Sequence, residues 1–311
     1  MGNDMNIYCY KDMTVISTSP NKNRDNIKSH YVDLKILSPI NTVGSIGKIC
    51  FPTSSTEIQE ALYFAKENHL KPYFLGGGSN TLIGHLSKIM IISDRDYPEH
   101  WDIKDDQIIV SSNTYVNYLV INAAQERLYG LEFLAGIPAH LGGLIYMNAG
   151  AYERNISDFI EWITVVDESG EKKIEKNDIQ FGYRSTNIKG LITKICFKLH
   201  LEPDDDYLSL IKAKIEHFTK DRESKHPMNF PSLGCFFKNP VNQHAGYLIE
   251  KAGLKSYQIG GAMVSPKHGN FLINVGNAKF EDFIDLINHV QNVVYEKFGI
   301  KLELEIKIIN E

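Results

Sequence analysis

The sequence has few cysteines, and this excludes several classes of protein. Its 311 residues contain four, at positions 9, 50, 196 and 235, and none forms a Cys-x-x-Cys motif or a Cys/His pair with metal-ligand spacing. A disulfide scaffold is not expected at this size and cysteine density, which favours a reducing compartment such as the cytoplasm. The sequence therefore predicts a cytoplasmic protein without a metal site.

Long apolar runs and long basic runs are also missing from the sequence. The apolar runs are too short for a membrane span, and Met1 to Tyr10 lacks the basic region and apolar stretch of a signal peptide. The formal net charge is −5 and no long Lys/Arg cluster occurs, so we expect neither a nucleic-acid nor a membrane partner. An anionic ligand must then be held by a few local cations.

The remaining composition is that of a globular protein with roughly two domains. Residues 1–35 are polar and predict a loosely structured leader. The composition changes from about residue 225, and the predicted domain boundary lies near 202–228. We expect domains over 36–202 and 203–311, in an α+β fold of short strands with intervening helices.

Ser54 and Glu57 predict a helix start, and Glu168-Ser169-Gly170 predicts a hairpin turn. The acidic residues after Pro203 predict a helix that runs to about Lys220. An apolar stripe predicts an amphipathic helix, with Phe283, Leu286, Ile287, Val290, Val293 and Val294 on one face. Period-two alternation over 302–309 predicts a half-buried strand with Glu305 on its polar face.

A triple glycine, Gly76-Gly77-Gly78, follows a predicted strand and precedes Ser79-Asn80. Glycines allow positive φ and remove the Cβ atoms that would hold a ligand away. Successive N–H groups in such a loop form a concave anion site, which suits a pyrophosphate. A tight turn without a ligand explains the same residues equally well. The segment matches neither the Rossmann nor the P-loop pattern.

A second glycine-rich segment runs from Gly130 to Tyr152, with one charged residue, Glu132, and one titratable histidine, His140. Small residues at this density let a backbone lie flat against a planar ligand, and the alternative is a tightly packed buried loop. Two such segments in one domain favour a dinucleotide with a flat ring.

The run Ser232 to Pro240 places a proton donor, Cys235, three residues before the cation of Lys238, with Asn239 next to it. An acid beside groups that hold an anion is needed when a reaction builds negative charge on a substrate and then protonates it. For Cys235 taken alone, a small buried apolar residue is the better interpretation, and only the surrounding motifs reverse it.

These motifs, in this order, resemble the flavin-dependent UDP-N-acetylenolpyruvoylglucosamine reductase family of peptidoglycan synthesis. Phe181–Arg184, Ser265–Phe271 and Leu302–Glu305 belong to the same pattern, which spans roughly residues 40 to 309. The resemblance implies a two-part FAD-binding domain of vanillyl-alcohol-oxidase (PCMH) type over 36–202 and an α+β substrate-binding domain over 203–311. It also implies non-covalent FAD, NADPH as co-substrate, a UDP-sugar substrate and a monomer.

The resemblance further implies residue roles. Arg184, whose guanidinium forks suit a carboxylate, and Glu305 polarise the substrate carboxylate, and Cys235 gives the proton. Glu305 can help only if it is protonated or orients another donor. The implied substrate contacts are Tyr183, Lys225, Lys238, Asn239 and His268. The implied cofactor contacts are Gly76, Gly77, Gly78, Ser79, Asn80, Gly136, Ile137, Pro138, Gly142, Gly143, Asn148, Ala149 and Gly150.

Some cofactor-side positions depart from the family pattern. Thr42–Gly47 is shortened and lacks a basic residue, and Ala139-His140 replaces a glycine and a small hydroxyl residue. A paralogue that binds flavin or UDP-sugar without turnover therefore stays open, as does a related flavin oxidase of another sugar. The strand predicted at 192 follows Tyr183-Arg184 almost directly, which resembles the subgroup without a tyrosine-bearing lid loop.

Overall fold

The computed structural model describes residues 6–10, 13–17, 38–40, 48–202 and 205–310. They form two compact units. The first unit holds the described residues of Met1–Tyr31, Gly47–Gly77 and Lys88–Asp221, and the second holds those of Val32–Ile46, Gly78–Ser87 and Arg222–Glu311. These units divide the chain at other places than the predicted boundary after 202, and the predicted domain ranges stay a proposal.

The elements are numbered in chain order. Within the described ranges the strands are β1 Asn6–Tyr10, β2 Met13–Ser17, β3 Lys48–Cys50, β4 Lys71–Leu75, β5 Thr81–Ile83, β6 Ile89–Ser93, β7 Trp101–Lys104, β8 Gln107–Ser111, β9 Leu128–Tyr129, β10 Gly150–Ala151, β11 Arg154–Asn155, β12 Ile160–Asp167, β13 Gly170–Glu175, β14 Phe181–Gly182, β15 Ser185–Thr186, β16 Leu191–Lys198, β17 His200–Leu201, β18 Ser232–Cys235, β19 Gln258–Ile259, β20 Ala262–Val264, β21 Phe271–Asn274 and β22 Lys307–Ile309. The helices are α1 Ser55–Glu67, α2 Val116–Gln125, α3 Leu141–Tyr146, α4 Asp205–Lys225, α5 Ala245–Lys251 and α6 Phe280–Phe298. None of these helices is both long and apolar enough to cross a membrane.

The first sheet of the first unit has the order β1-β2-β3-β6-β4, with β3, β6 and β4 parallel. The apolar run of β6 is buried throughout, as expected for an interior strand of a parallel sheet. Helix α1 connects β3 to β4. The predicted cap is confirmed, since Ser54 accepts from the N–H of Glu57, whose carboxylate accepts from the N–H of Thr53.

The second sheet of the first unit is antiparallel, in the order β13-β12-β16-β8-β7. A turn at Asp167–Gly170 joins β12 to β13, where a hairpin is predicted. The buried face of this sheet packs with α2 and α3 into one hydrophobic core that includes Leu119, Leu141 and Ile195. This core supports the loops on either side of α3.

The second unit has an antiparallel sheet in the order β18-β21-β20-β19 and a separate parallel pair, β5 with β22. Helix α6 buries the predicted apolar stripe, including Phe283, Leu286 and Val290, and Gly299 ends it at φ +68°. Phe236 and Phe237 lie in the same core, which fixes the backbone on the C-terminal side of Cys235.

Three expectations differ from the structure. The strand predicted over 302–309 is wrong in extent, because only Lys307–Ile309 pairs as a strand and Leu304 makes a single bridge with Phe237. In the predicted irregular leader, β1 and β2 form a hairpin, and β2 pairs with β3. Helix α4 continues to Lys225 rather than ending near Lys220. The eroded segment 42–47 lies outside the described residues.

Candidate functional site

The first two glycines of the triple-glycine loop lie against the start of α3. A Cβ on Gly76 would stand 3.5 Å from the backbone nitrogen of Gly143, and one on Gly77 would stand 3.2 Å from the His140 ring. A Cβ on Gly143 would meet no atom within 4 Å, and its N–H donates to no acceptor among the described residues. The loop and the helix start therefore border an open recess that exposes an unused backbone donor.

The segment before α3 is fixed by backbone hydrogen bonds to the turn after β8. Leu141 donates to the carbonyl of Thr114 at 3.0 Å, and Gly142 donates to that of Ser112 at 2.8 Å. A Cβ on Gly142 would stand 3.1 Å from Cβ of Ser112. Glycine at 142 thus allows a close approach that orders the recess.

A buried carboxyl lies beneath this recess. Ser112 Oγ donates to Asp94 Oδ2 at 2.6 Å, and Asp94 is 1% exposed. Burial raises the pKa of Asp94 to about 6, against the lowering effect of the Ser112 hydrogen bond. Sequence analysis missed this pair. The only local signal is an acidic residue directly after the apolar strand β6.

Several buried polar atoms around α3 have no hydrogen-bond partner among the described residues. They are Asp94 Oδ1, Asn113 Oδ1, His140 Nδ1 and Asn148 Oδ1. Burial, and then the charge of Arg95, lowers the pKa of His140. Buried polar atoms are almost always satisfied in folded proteins, so this cluster is typical of a surface that meets a polar ligand.

The C-terminal side of α3 leads to the predicted catalytic arginine. Asn148 Nδ2 donates to the carbonyl of Gly182 at 3.1 Å, and Arg184 Nη2 donates to that of Gly150 at 2.9 Å. A Cβ on Gly150 would come within 2.3 Å of Asn155 Oδ1, so glycine is required there. The structure therefore brings Asn148, Gly150 and Arg184 together.

Arg184 itself is held in an unusual conformation. It lies with Tyr183 in the turn between β14 and β15 and has φ +54°, the left-handed region that non-glycine residues seldom adopt. Its guanidinium carbon lies 5.3 Å from the centroid of the exposed Tyr183 ring. Such strain is commonly found at functional positions.

The other predicted cofactor residues of this unit follow α2 or α3. Gly136 has φ +82° and donates to Asn117 Oδ1 at 2.7 Å, so Asn117 on α2 fixes the start of the Gly136-Ile137-Pro138 segment. Ala149 donates to the carbonyl of Leu144 at 2.8 Å. Asn117 is a second residue that sequence analysis missed, and no local pattern indicates it.

The remaining residues of the glycine loop belong to the second unit. Gly78 has φ +67° and accepts from the N–H of Thr81 at 3.1 Å, which forms a turn around Ser79. Asn80 Nδ2 donates to the carbonyl of Glu305 at 3.2 Å, and the Asn80 carbonyl accepts from Lys307 at 2.9 Å. The loop thus fixes the backbone of the predicted catalytic glutamate.

Cys235 and Glu305 lie on neighbouring segments of the second unit. Gly234 at φ +78° and an irregularity between Ser232 and Cys235 place Cys235 opposite Phe271. Glu305 donates its N–H to the carbonyl of Phe236 at 2.8 Å, and both Cys235 and Glu305 are half-buried. Two predicted catalytic residues are therefore adjacent, while Arg184 belongs to the first unit.

A buried asparagine holds the segment that carries Cys235. Asn270 accepts from the N–H of Phe237 at 3.0 Å and donates to its carbonyl at 2.7 Å. Asn270 is almost fully buried. These two hydrogen bonds therefore satisfy the N–H and the carbonyl of Phe237 where water is not available as a partner. Sequence analysis included Asn270 in the Ser265–Phe271 motif but gave it no role. The presence of a polar amide in that motif is the signal that could have indicated its role.

The predicted substrate residues of the second unit differ in the contacts that their side chains make. Lys225 is the last residue of α4, and Lys238 Nζ lies 3.6 Å from Glu303 Oε2. Asn239 Oδ1 accepts from the N–H of Ala245 at 3.0 Å and so caps α5. His268 Nδ1 accepts from the N–H of Asn270 at 3.1 Å, and burial, followed by the charge of Lys255, lowers its pKa.

The residues around α3 fit the FAD that the sequence resemblance implies. The recess offers the N–H of Gly143 and glycine backbones without side chains, which suits a pyrophosphate. The unsatisfied atoms of Asn113, His140 and Asn148 offer hydrogen bonds to ribityl, ribose or ring groups. The site thus has the donor and acceptor set that a dinucleotide needs.

Two family profiles match separate parts of this chain. Residues 226–309 match the family profile described as UDP-N-acetylenolpyruvoylglucosamine reductase, C-terminal domain, and residues 47–173 match an FAD binding domain. The chain is 37% identical to the UDP-N-acetylenolpyruvoylglucosamine reductase of Listeria innocua over 291 residues, 90% of this chain and 96% of that protein. The chain is also 37% identical to the UDP-N-acetylenolpyruvoylglucosamine reductase of Caldicellulosiruptor bescii over 289 residues, 92% of this chain and 91% of that protein. The chain is similar as well to the crystal structure of UDP-N-acetylenolpyruvylglucosamine reductase (MurB) from Thermus caldophilus. The TM-score is 0.76, with 30% identity over 90% of this chain and 98% of that chain.

Proposed function

Because this chain belongs to the UDP-N-acetylenolpyruvoylglucosamine reductase family, we propose that it reduces the enolpyruvyl group of UDP-N-acetylglucosamine enolpyruvate to give UDP-N-acetylmuramate. This is a step of peptidoglycan precursor synthesis, with FAD as cofactor and NADPH as reductant. The observation that carries the proposal is similarity to such reductases along nine-tenths of the chain. The predicted fold, a PCMH-type FAD-binding domain with a C-terminal α+β domain, is confirmed.

The proposed chemistry assigns one task to each catalytic residue. When bound, FAD that NADPH has reduced would supply the hydride for the enolpyruvyl double bond. Arg184 holds the substrate carboxylate, since a guanidinium binds a carboxylate through paired hydrogen bonds. The Cys235 thiol gives its proton to the substrate carbon that becomes negative. Glu305 acts in its protonated form or orients another donor, because a bare carboxylate would repel that charge.

Contacts within the second unit support the proposal that Cys235 and Glu305 act together. The N–H of Glu305 donates to the carbonyl of Phe236, the residue after Cys235. The two residues therefore lie on neighbouring backbone segments, which supports the proposal that both act on one substrate. Lys225, Lys238, Asn239 and His268, together with Tyr183 of the first unit, stay proposed contacts to the UDP-sugar. The low pKa of His268 favours a neutral ring that donates one hydrogen bond.

The proposed cofactor contacts are the glycine-rich residues of the first unit and the loop that continues from it. Gly76, Gly77, Gly142 and Gly143 are proposed to surround the pyrophosphate, and their close backbone approach supports this. Ile137, Pro138, Asn148, Ala149 and Gly150 are proposed to meet the rest of FAD, with Gly136 before them. Gly78, Ser79 and Asn80 are proposed to continue the cradle.

We propose that the protein belongs to the subgroup of the family without a tyrosine-bearing lid loop. Only four residues, 187–190, separate β15 from β16. Gly190 has φ +108°, and a Cβ there would meet Val165 Cγ1 at 2.6 Å. A connection this short and this closely packed has no room for a long loop.

The proposed domain assignment is FAD binding by 36–202 and substrate binding by 203–311. The two matched profiles, 47–173 and 226–309, fall inside these ranges and support the assignment. We also propose a monomer in the cytoplasm. Cys50, Cys196 and Cys235 are free thiols, which is usual in a reducing compartment, and light scattering measures the mass in solution.

The experiment that tests this function is spectroscopic and kinetic. We expect the purified protein to be yellow, to be bleached by NADPH, and to oxidise NADPH continuously only when the enolpyruvyl sugar nucleotide is present. A colourless protein that FAD cannot reconstitute contradicts the proposal. Ligand binding without turnover would favour a non-catalytic paralogue, and peroxide formation in air without NADPH would favour a flavin oxidase.

A further inference from the structure

The strand that carries Cys235 is irregular just before the thiol. β18 advances three residues between Ser232 and Cys235, whereas the facing part of β21 advances two, from Ile273 to Phe271. A bulge of this kind turns a side chain out of the regular alternation and is common beside active sites. Gly234 lies inside it at φ +78°, and a Cβ there would meet no atom of the described residues within 4 Å. Strand pairing alone therefore does not fix the direction of the Cys235 side chain.

Asn270 binds the backbone directly after Cys235 through three hydrogen bonds. Its backbone carbonyl accepts from the N–H of Phe236 at 3.0 Å. Its Oδ1 accepts from the N–H of Phe237 at 3.0 Å, and its Nδ2 donates to the carbonyl of Phe237 at 2.7 Å. A carboxamide has both the acceptor and the donor that this pairing needs. We call this arrangement the Asn270 clamp on Phe236 and Phe237.

Asn270 is itself held in place. Its side chain is buried, and its N–H donates to His268 Nδ1 at 3.1 Å. The N–H groups of Lys267 and His268 donate to Ser265 Oγ at 3.1 and 3.3 Å, and Phe271 donates to the carbonyl of His268 at 3.0 Å. These bonds fix the turn that presents Asn270. A rigid, buried support is what a reacting group needs to keep its position.

Phe236 connects the clamp to Glu305. Its N–H donates to the Asn270 carbonyl on one side, and its own carbonyl accepts from the N–H of Glu305 at 2.8 Å on the other. The Phe236 side chain is fully buried in the core of the second unit. Because Cys235 directly precedes Phe236, the clamp determines where the thiol lies relative to Glu305.

We infer that Asn270 is a positioning residue for the proposed proton transfer, because its clamp on Phe236 and Phe237 sets the position from which the Cys235 thiol reaches the substrate. The inference rests on the proposed function, since it takes Cys235 to be the proton donor. In that step the S–H bond of Cys235 breaks, a C–H bond forms on the substrate, and the thiolate left behind takes up a proton from water. The donor must lie within hydrogen-bond reach, and a displacement of about 1 Å can slow a reaction by about 10²-fold.

The FAD-loaded full-length protein tests the inference through Asn270→Ala. Stopped-flow absorbance should show that the half-reaction with the enolpyruvyl sugar nucleotide slows about 10- to 100-fold. Flavin reduction by NADPH and the KM of the sugar nucleotide should stay within about threefold of the parent, since neither depends on the position of the thiol.

Asn270→Asp supplies a readout that a purely structural role would not move. A protonated carboxyl both accepts and donates, as the carboxamide does, whereas a carboxylate only accepts and would face the Phe237 carbonyl. Because burial raises the pKa of a carboxyl, the variant should approach the parent rate at about pH 5.5 and fall about tenfold or more behind it at about pH 8.5. The ratio of variant to parent rate is the quantity to follow.

Asn274→Ala is the matched control, at a second buried asparagine of β21. Its side chain accepts from the N–H groups of Gly276 and Ala278 at 2.9 and 3.2 Å and donates to the carbonyl of Ile40 at 2.9 Å. These partners lie outside the segment that carries Cys235. This variant should therefore lower the melting temperature while both half-reactions keep the parent rates.

Alkylation of Cys235 by iodoacetamide, measured on the peptide that contains it, is a readout without turnover. Asn270→Ala should speed it by about threefold or more through local opening, and Asn274→Ala should leave it unchanged. The inference is overturned if Asn270→Ala lowers only the melting temperature, if Asn274→Ala slows the sugar-nucleotide half-reaction equally, or if the Asn270→Asp ratio does not change with pH. Failure of the proposed function is distinct, since the parent protein itself would then show no substrate-dependent NADPH oxidation, while the alkylation rates still test the clamp.

Discussion

The buried carboxyl of Asp94 makes the stability of the first unit depend on pH. Its pKa is about 6 in the folded chain against an ordinary value of 3.8. A carboxyl whose pKa is raised by folding stabilises the fold most below the ordinary value, and this contribution is lost as the pH rises through about 6. Each pKa unit corresponds to about 1.4 kcal/mol, so the loss approaches about 3 kcal/mol at pH 8.

Asp94→Asn removes this charge and keeps an oxygen that can accept from Ser112. Any difference in packing changes the free energy of unfolding of the variant by the same amount at every pH. Ionisation of Asp94 lowers the free energy of unfolding as the pH rises, and this happens only in the wild type. We therefore expect the free energy of unfolding of Asp94→Asn, relative to wild type, to increase by about 2 kcal/mol between pH 4.5 and 8.

Urea unfolding of the flavin-free protein measures this difference through tryptophan fluorescence. The sequence has two tryptophans, Trp101 and Trp162, and both lie in the first unit with Asp94. Asp102→Asn, on an exposed position of β7, is the control for removing one negative charge. Parallel pH profiles for wild type and Asp94→Asn would refute the reasoning, because they would mean that Asp94 ionises in the fold as easily as in the unfolded chain.

Three further predictions concern the site. Cys235→Ala should slow the protonation half-reaction by roughly 10²-fold or more and leave flavin reduction by NADPH nearly intact, whereas Cys235→Ser should keep measurable turnover; stopped-flow absorbance separates the two half-reactions, and equal damage to both contradicts the proton-donor role. Gly150→Ala should lower the free energy of unfolding by roughly 1–3 kcal/mol, because its Cβ would lie 2.3 Å from Asn155 Oδ1 and 2.8 Å from the Arg154 carbonyl; an unchanged melting temperature would mean that the β10–β11 turn is not rigid. Asn270→Ala should cost about 1–3 kcal/mol by leaving the buried backbone groups of Phe237 unsatisfied; calorimetry checks this, with Asn292→Ala at an exposed position of α6 as control.

Local sequence patterns predicted the elements whose signals are themselves local. The cap at Ser54, the stripe of α6 and the turn at Asp167–Gly170 depend on residues a few positions apart, and all three are present. The strand predicted over 302–309 failed because alternation indicates which face is buried and not where a partner ends. Its partner β5 is only three residues long, so pairing covers Lys307–Ile309 alone.

The residues of the candidate site also fall into two groups, those that the sequence indicates and those that only the structure reveals. The order of motifs indicated the glycine loop, Arg184, Cys235 and Glu305 without any knowledge of contacts. The Asp94–Ser112 pair joins residues 18 apart, and Asn270 reaches back 33 residues to Phe237. Such supporting contacts are formed by tertiary packing, and one sequence carries no period or spacing that reveals them.

The pairing of β5 with β22 has a consequence for synthesis of the chain. Asn80 and Glu305 are hydrogen-bonded although 225 residues separate them. The buried strand β5 beside Asn80 has its parallel neighbour equally far along the chain, at Lys307–Ile309. Until the ribosome has made Lys307–Ile309, that apolar edge lacks the β22 partner, and contacts this distant in sequence form slowly. Nonsense or frameshift products that end before Lys307 would keep the bare edge permanently and should aggregate rather than fold.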